Sequence, residues 1–377
     1  MILSEEHRMI RDMTQQFARD RLAPNAAQWE HDRGYPDEIL KECGELGLFG
    51  INVPEEYDGA GMDYVSYSLA LMEIAAGDGS LSTMLSVHNS PGCSVMMSSA
   101  NEEQKQKYLK PMARGESISS FALTEPSAGS DAGALKTRAK KDGNGYIING
   151  SKQFISNAKI GKCSIVFAVT DPDAGKKGLS AFIVDNDTPG FSVTSVEEKM
   201  GQKASDTCAL SFEDMRISGD ALLGNEGDGY RIALANLETG RIGIASQSIG
   251  MAQSALDYAI EYAKERETFN TPIIQHQAVG FRLAEMAAKL ESARQLTLHA
   301  AALKDAKLPC IKEACMAKLV ASEVAEEVCS AAIQTLGGYG YLSEYPVERI
   351  ARDVRVCKIY EGTSDVQKLV INRALMS

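Results

Sequence analysis

Phe121-Ala-Leu-Thr-Glu-Pro-Ser-Ala-Gly-Ser-Asp131 is the stretch of this 377-residue chain whose residue types most clearly point to chemistry. It leaves an apolar run and enters a loop of small and hydroxylated residues. There, backbone amides and hydroxyls can approach an anion or the polar edge of a heteroaromatic ring. Other signatures are missing: there is no G-x-S-x-G elbow, no P-loop and no G-x-G-x-x-G between a strand and a helix, since Gly143-Asn-Gly145 lies inside a hairpin. Any nucleotide must be held in another way. Cys43, Cys93, Cys163, Cys208, Cys310, Cys315, Cys329 and Cys357 form no C-x-x-C pair, and His7, His31, His88, His276 and His299 never fall at metal-binding spacing. Buried free thiols and hydrogen-bonded histidines are therefore expected, and no metal site.

Three blocks must position this chemistry. Residues 1–116 read as an α-helical domain: Ser4-Glu5-Glu6 supplies a cap and first-turn acids, then Met9, Ile10, Met13 and Phe17 follow at helical spacing. Asp37 to Leu46 and Tyr64 to Ala76 repeat the pattern, and the small residues of 80–100 predict a closely packed helix. Residues 117–225 change to β-branched and aromatic runs separated by glycine turns, with a hairpin signal at Lys140-Lys-Asp-Gly-Asn-Gly145 and no intervening helix. That favours an antiparallel sandwich or barrel over a β-α-β nucleotide fold. Residues 226–377 are alanine-rich, and the stretches 230–264, 276–304, 310–336 and 346–357 predict a four-helix bundle.

Composition sets outer bounds. With 39 basic and 51 acidic side chains the formal net charge is −12, which excludes nucleic acid as a partner. No run of about 18 apolar residues occurs, so no membrane insertion is expected. The opening Met-Ile-Leu-Ser-Glu-Glu-His-Arg lacks the order of a signal or transit peptide, and a cytoplasmic protein is expected.

The loop at Phe121 is followed, in order, by Lys152-Gln-Phe-Ile-Ser-Asn157, Glu265-Arg-Glu-Thr-Phe269, Gln334-Thr-Leu-Gly-Gly338 and Ile359-Tyr-Glu-Gly-Thr-Ser-Asp365. Together these segments resemble the acyl-CoA dehydrogenase family across the whole chain, and most closely its short-chain and short-branched-chain, butyryl-CoA dehydrogenase-like members. The resemblance implies a mostly α fold with a central β domain: an N-terminal helical domain, a middle β-barrel and a C-terminal four-helix bundle, the block order already read above.

It also implies FAD as cofactor and the α,β-dehydrogenation of an acyl-CoA to a trans-2-enoyl-CoA. The α-proton goes to a carboxylate and the β-hydrogen leaves as hydride to flavin N5. The glutamate of Tyr-Glu-Gly-Thr is Glu361, implied to be the base. Some members carry the base just before the arginine that corresponds to Arg241, where this chain has Gly240. Glu238, Thr239, Gly240, Arg241, Tyr360, Gly362 and Ser130 are implied to line the acyl-CoA pocket. For the flavin ring and pyrophosphate the resemblance assigns Phe121, Leu123, Thr124, Gly129, Ser130, Phe154, Ile155 and Ser156, with hydrogen bonds from Thr124 and Ser156. Arg266, Phe269, Gln277, Gln334, Leu336, Gly337, Gly338, Thr363, Ser364 and Asp365 are assigned to the adenosine-diphosphate end, some of them on a neighbouring subunit. A homotetramer built as a dimer of dimers and an electron-transfer flavoprotein as redox partner follow from the same resemblance. Asn270, Ser156 and Asp365 depart mildly from the family pattern. An acyl-CoA oxidase using oxygen, and a catalytically silent flavin or acyl-CoA binder, are the alternatives at this stage.

Overall fold

The first helix starts where Ser4 can cap it: the Ser4 hydroxyl accepts from the His7 amide at 3.1 Å, and the His7 ring accepts from the Ser4 amide at 3.4 Å. From that point the computed structural model, which describes residues 1–376, runs through α1 (Glu5–Phe17), α2 (Ala26–Asp32), α3 (Asp37–Glu45), α4 (Tyr64–Gly77), α5 (Gly79–Val87) and α6 (Ser94–Ser99). A continuous helical run over 102–113, in which α7 (Glu102–Gln104) and α8 (Lys110–Ala113) are joined by a π-helical stretch at Lys105–Leu109, completes this part. The helix expected over 80–100 is interrupted, because Pro91 offers no backbone N–H and Ser90 is extended (φ −141°, ψ 109°). α4 is buried on nearly all sides rather than along one stripe. Its amino end is satisfied by two acids: Asp63 accepts from the Ser66 amide at 2.7 Å, and Asp305 from the Tyr64 and Val65 amides at 2.7 and 3.1 Å.

The middle part is an eight-stranded sheet in the order β6-β7-β3-β2-β4-β5-β8, with β1 against β4. Its strands are β1 (Ser119–Ala122), β2 (Arg138–Asp142), β3 (Gly145–Ser156), β4 (Cys163–Val169), β5 (Leu179–Asp185), β6 (Phe191–Val196), β7 (Thr207–Ser218) and β8 (Leu222–Leu223). The expected hairpin joins β2 to β3 with Asp142 opposite Gly145, and Gly143 takes φ +58° in the turn. Two pairings depart from the antiparallel expectation: β1 runs parallel to β4, Ser119 facing Cys163, and β2 meets β4 in parallel at Arg138 and Val169. The long excursion through residues 123–162 carries the chain out and back, as a parallel pair requires.

The last part holds α9 (Gly229–Glu265), α10 (Gln277–Asp305), α11 (Ile311–Leu336), α12 (Pro346–Val354) and α13 (Ser364–Met376), with a two-residue ribbon β9 (Glu267–Thr268) and β10 (Thr271–Pro272). α12 is shorter than its sequence signal and passes into a 3₁₀ turn over Arg355–Lys358, so α13 adds a fifth helix. The 37 residues of α9 span about 55 Å, and every residue of 239–252 is buried between α4, α5, α11 and α12. Gly250 allows that approach: a Cβ there would overlap the Met72 carbonyl and lie 2.8 Å from Ala75 Cβ. Among the described residues no helix is long and apolar enough to cross a membrane.

Candidate active site

The chain between α12 and α13 turns through two consecutive left-handed residues, Glu361 at φ +51° and Gly362 at φ +90°. A glutamate rarely adopts that conformation, and three contacts hold it there. Lys318 Nζ donates to Gly362 O at 2.8 Å; Gln367 Nε2 donates to Gly362 O at 2.8 Å and to Glu361 O at 3.2 Å. Thr363 caps the following helix, its hydroxyl accepting from the Val366 amide at 3.3 Å.

The turn throws the Glu361 side chain against α9. The residue as a whole is partly exposed, but its Oε2 is closed off from water and has no hydrogen-bond partner. Burial pushes the Glu361 carboxyl up to about 7, while the nearby Lys318 and Arg241 cations pull the other way. Gly240 makes the room: a Cβ there would lie 2.9 Å from the Glu361 carboxyl carbon and closer still to Oε2. The Arg241 side chain is buried, with its Nε and Nη1 unpartnered, so it carries unused donors beside the carboxylate. Tyr360 Oη donates to Gln247 Oε1 at 3.0 Å.

Not every residue expected at the acyl-CoA pocket faces Glu361. Glu238 is held by Lys304 Nζ at 3.0 Å and by the Cys310 thiol at 3.4 Å, and Thr239 shares a 2.6 Å hydrogen bond with Ser90. Thr239 and Lys304 line a separate cavity of about 420 Å³ with Asn52, Tyr64, Asn89 and Asn236. Polar residues that the sequence reading passed over join this arrangement. Gln247 Nε2 donates to Ser82 Oγ at 2.8 Å and Thr83 Oγ1 at 2.7 Å, and Thr83 Oγ1 in turn donates to Gln202 Oε1 at 2.6 Å. The signal was available: Gln247 lies in an otherwise small and apolar stretch of α9, and Lys318 among Ala314, Cys315, Ala317 and Ala321.

The segments assigned to the flavin ring meet at one edge of the sheet. The Gln153 amide donates to Thr124 O at 2.9 Å, which sets Phe121–Thr124 beside Phe154–Ser156. Phe154, at φ +61°, turns its ring outward and leaves it 64% exposed. Ile155 and Leu123 point into the core, and the Phe121 ring packs edge-on against Phe167 at 4.9 Å, so these three offer backbone rather than side chains. This edge lies close to Glu361: Asn157 Nδ2 donates to Met84 O at 3.0 Å, next to Thr83, and Gln202 reaches the Tyr360 hydroxyl at 3.5 Å. Gly129 and Ser130 lie exposed in the loop.

Glu125 anchors that loop. Its carboxylate accepts from the Lys136 and Thr137 amides at 2.6 and 3.0 Å and pairs with the fully buried Lys152 at 2.9 Å. Replacing Lys152 by Met strands a buried carboxylate, and a loss of about 3–5 kcal/mol in unfolding free energy is expected. Urea denaturation of the holo-protein measures it, and a midpoint equal to wild type refutes it.

The residues assigned to the diphosphate end divide between two places. Arg266, Leu336, Gly337 and Gly338 line a cavity of about 540 Å³ with Tyr262, Thr268, Ile273, Thr335, Tyr339 and Leu342. Phe269, Gln277 and Gln334 are exposed around it, Phe269 at 93%. Thr363, Ser364 and Asp365 lie instead beside Glu361, where the Ser364 hydroxyl donates to Glu323 at 2.8 Å. Together these surfaces suit a flavin dinucleotide: an aromatic platform with Thr124 and Ser156 at its edge, and a cavity with a guanidinium and bare glycine backbone for phosphates.

Residues 4–116, 120–215 and 227–376 match the N-terminal, middle and C-terminal domains of acyl-CoA dehydrogenases, in that order. A mitochondrial short-chain specific acyl-CoA dehydrogenase of Bos taurus is 48% identical over 369 residues, covering 98% of this chain and 90% of the relative. Butyryl-CoA dehydrogenase from Megasphaera elsdenii superposes with a TM-score of 0.98 at 39% identity, covering 100% of both chains. A chain from a structure described as the electron transferring flavoprotein of Acidaminococcus fermentans gives 0.98 at 44% identity, covering 100% of this chain and 99% of that one. The order of the three parts and the match of nearly the whole chain agree: the chain belongs to the acyl-CoA dehydrogenase family, flavin-dependent oxidoreductases with FAD as their cofactor.

Proposed function

We propose that this chain converts short straight or branched acyl-CoA thioesters to trans-2-enoyl-CoA, with Glu361 as the base. The observation that carries the reading is the buried, unpartnered Oε2 of Glu361 laid against the bare backbone of Gly240. A carboxylate without a hydrogen-bond partner, raised by burial to about 7, is suited to take a proton from carbon at neutral pH. The proton moves from Cα to Glu361, the electron pair of that bond becomes the new double bond, and the β-hydrogen departs with its own pair. FAD, when bound, supplies the acceptor for that hydride. The turn held by Lys318 and Gln367 aims the carboxylate, and the packed helices around it keep water from competing for the proton.

Short acyl groups are favoured by what lies along α9 beyond Gly240. Gln247, Thr83, Ser82 and Tyr360 form a hydrogen-bonded polar plug that an alkyl tail would have to break. Gln247→Ala is expected to raise kcat/KM for octanoyl-CoA relative to butyryl-CoA by about tenfold, the worth of roughly one methylene that gains a place to sit, at about 1–3 kcal/mol each. An unchanged ratio in steady-state assays would reject the plug.

The separation of the two FAD surfaces supports an oligomer. From Gly240 to Glu265 α9 advances roughly 37 Å, which sets the Arg266 cavity far along the helix from the Glu361 end. A neighbouring subunit supplying the Arg266 cavity accounts for this, in line with a tetramer built as a dimer of dimers. An electron-transfer flavoprotein is the partner that takes the electrons on. Anaerobic titration of the holo-protein with butyryl-CoA tests the reaction: the flavin band at about 450 nm is expected to bleach. A band that persists through butyryl-, isobutyryl-, 2-methylbutyryl- and hexanoyl-CoA would refute it.

A further inference from the structure

Lys318 has no solvent exposure, and its neighbours on α11 are small. An ammonium in such a place gives up its hydration and persists only where partners offset that loss. Its Nζ donates to one carbonyl, Gly362 O at 2.8 Å, which also accepts from Gln367 Nε2 at 2.8 Å. Both lone pairs of that carbonyl are thereby used, and the peptide after Glu361 is fixed in orientation. The charged and titratable groups facing Lys318 are Cys357, Glu361, Arg241, Glu323 and, on its own helix, Cys315, whose thiol burial keeps protonated. Glu323 is already engaged by Lys358 at 2.6 Å and Ser364 at 2.8 Å, and burial keeps the Cys357 thiol protonated. Glu361 is the anion that remains. From its own side Glu361 faces Lys318 on α11, Arg241 on α9 and the Tyr67 hydroxyl on α4.

We propose that Lys318 is a positioning residue for the base: its Nζ clamps the Gly362 carbonyl and so holds the left-handed turn, and its charge faces the Glu361 carboxylate. The inference rests on Glu361 being the base. Burial raises the affinity of Glu361 for a proton, and Lys318 is one of the two cations that oppose the rise. Without it Glu361 holds its proton to higher pH and is less often available to accept one from substrate.

The test is the pH profile of kcat/KM for butyryl-CoA with FAD-loaded Lys318→Met and Lys318→Arg. The methionine variant is expected to shift the acidic limb upward by about one pH unit, which is about a tenfold loss below pH 7, with recovery towards the wild-type rate near pH 9. A lysine that only fills space would lower the whole profile evenly, and an unmoved limb overturns the proposal. Arginine keeps the cation and the donors, so its limb is expected within about 0.3 unit of wild type. A full-unit shift there overturns the proposal as well, and this arm decides the matter if the methionine variant does not fold. Glu361→Gln separates the two readings. Sustained turnover would remove Glu361 as the base, whereas an inactive variant beside an unshifted Lys318→Met limb removes only the role of Lys318.

Discussion

Glu361→Gln is expected to fold, retain bound FAD and lose about 10³-fold or more in kcat with butyryl-CoA. The amide has nearly the volume of the carboxyl, so the contact with Gly240 survives, but it has no basic oxygen able to take a proton from carbon, and positioned general bases contribute about 10²–10⁴-fold. The pH dependence follows with a definite sign. A base acts when ionised, and burial places the Glu361 carboxyl at about 7, so kcat/KM of the wild type is expected to climb about tenfold per unit as pH rises towards 7 and to level off above. The residual rate of the glutamine variant is expected to lack that limb. Stopped-flow reduction of the flavin across pH 5.5–9, an interval of roughly two units on either side of the limb, measures both. Turnover of Glu361→Gln within tenfold of wild type would end the assignment.

Gly240→Ala is expected to lower kcat/KM by about 100-fold while leaving the fold intact. The new Cβ would stand 2.9 Å from the Glu361 carboxyl carbon and nearer to Oε2, so the carboxylate must swing away from its place. A misplacement of about 1 Å at a reacting group can cost about 10²-fold. Alanine is the better helix former by about 1 kcal/mol, so helix propensity does not work against folding, and melting temperature and FAD content separate misplacement from unfolding. Activity within twofold of wild type would show that the observed seat of Glu361 is not its reactive position.

Much of the architecture was legible in the sequence because its determinants are local. The Ser4 cap, the turn at Gly143, the termination of α11 at Gly337 and the change from helical to alternating periodicity and back each depend on residues within a few positions of one another. The ordered motifs around Phe121, Phe154, Arg266, Gly337 and Glu361 were legible for the same reason. The interrupted segment at Ser90, the parallel β1–β4 pair and the added α13 were not, since each is settled by what packs against it.

The sequence by itself therefore determined the three-part order, the family and the identity of the candidate base. Tertiary structure decided the rest, because it depends on residues far apart in the chain meeting in a site closed to water. Glu361 meets Gly240 across 121 positions, and Lys318 meets Gly362 across 44. Glu238, one position from Thr239 and two from Gly240, turns to Lys304 instead, because successive residues on a helix point about 100° apart. Whether a carboxylate is a solvated surface acid or a base raised to about 7 is a matter of its surroundings, and only the packed helices supply those.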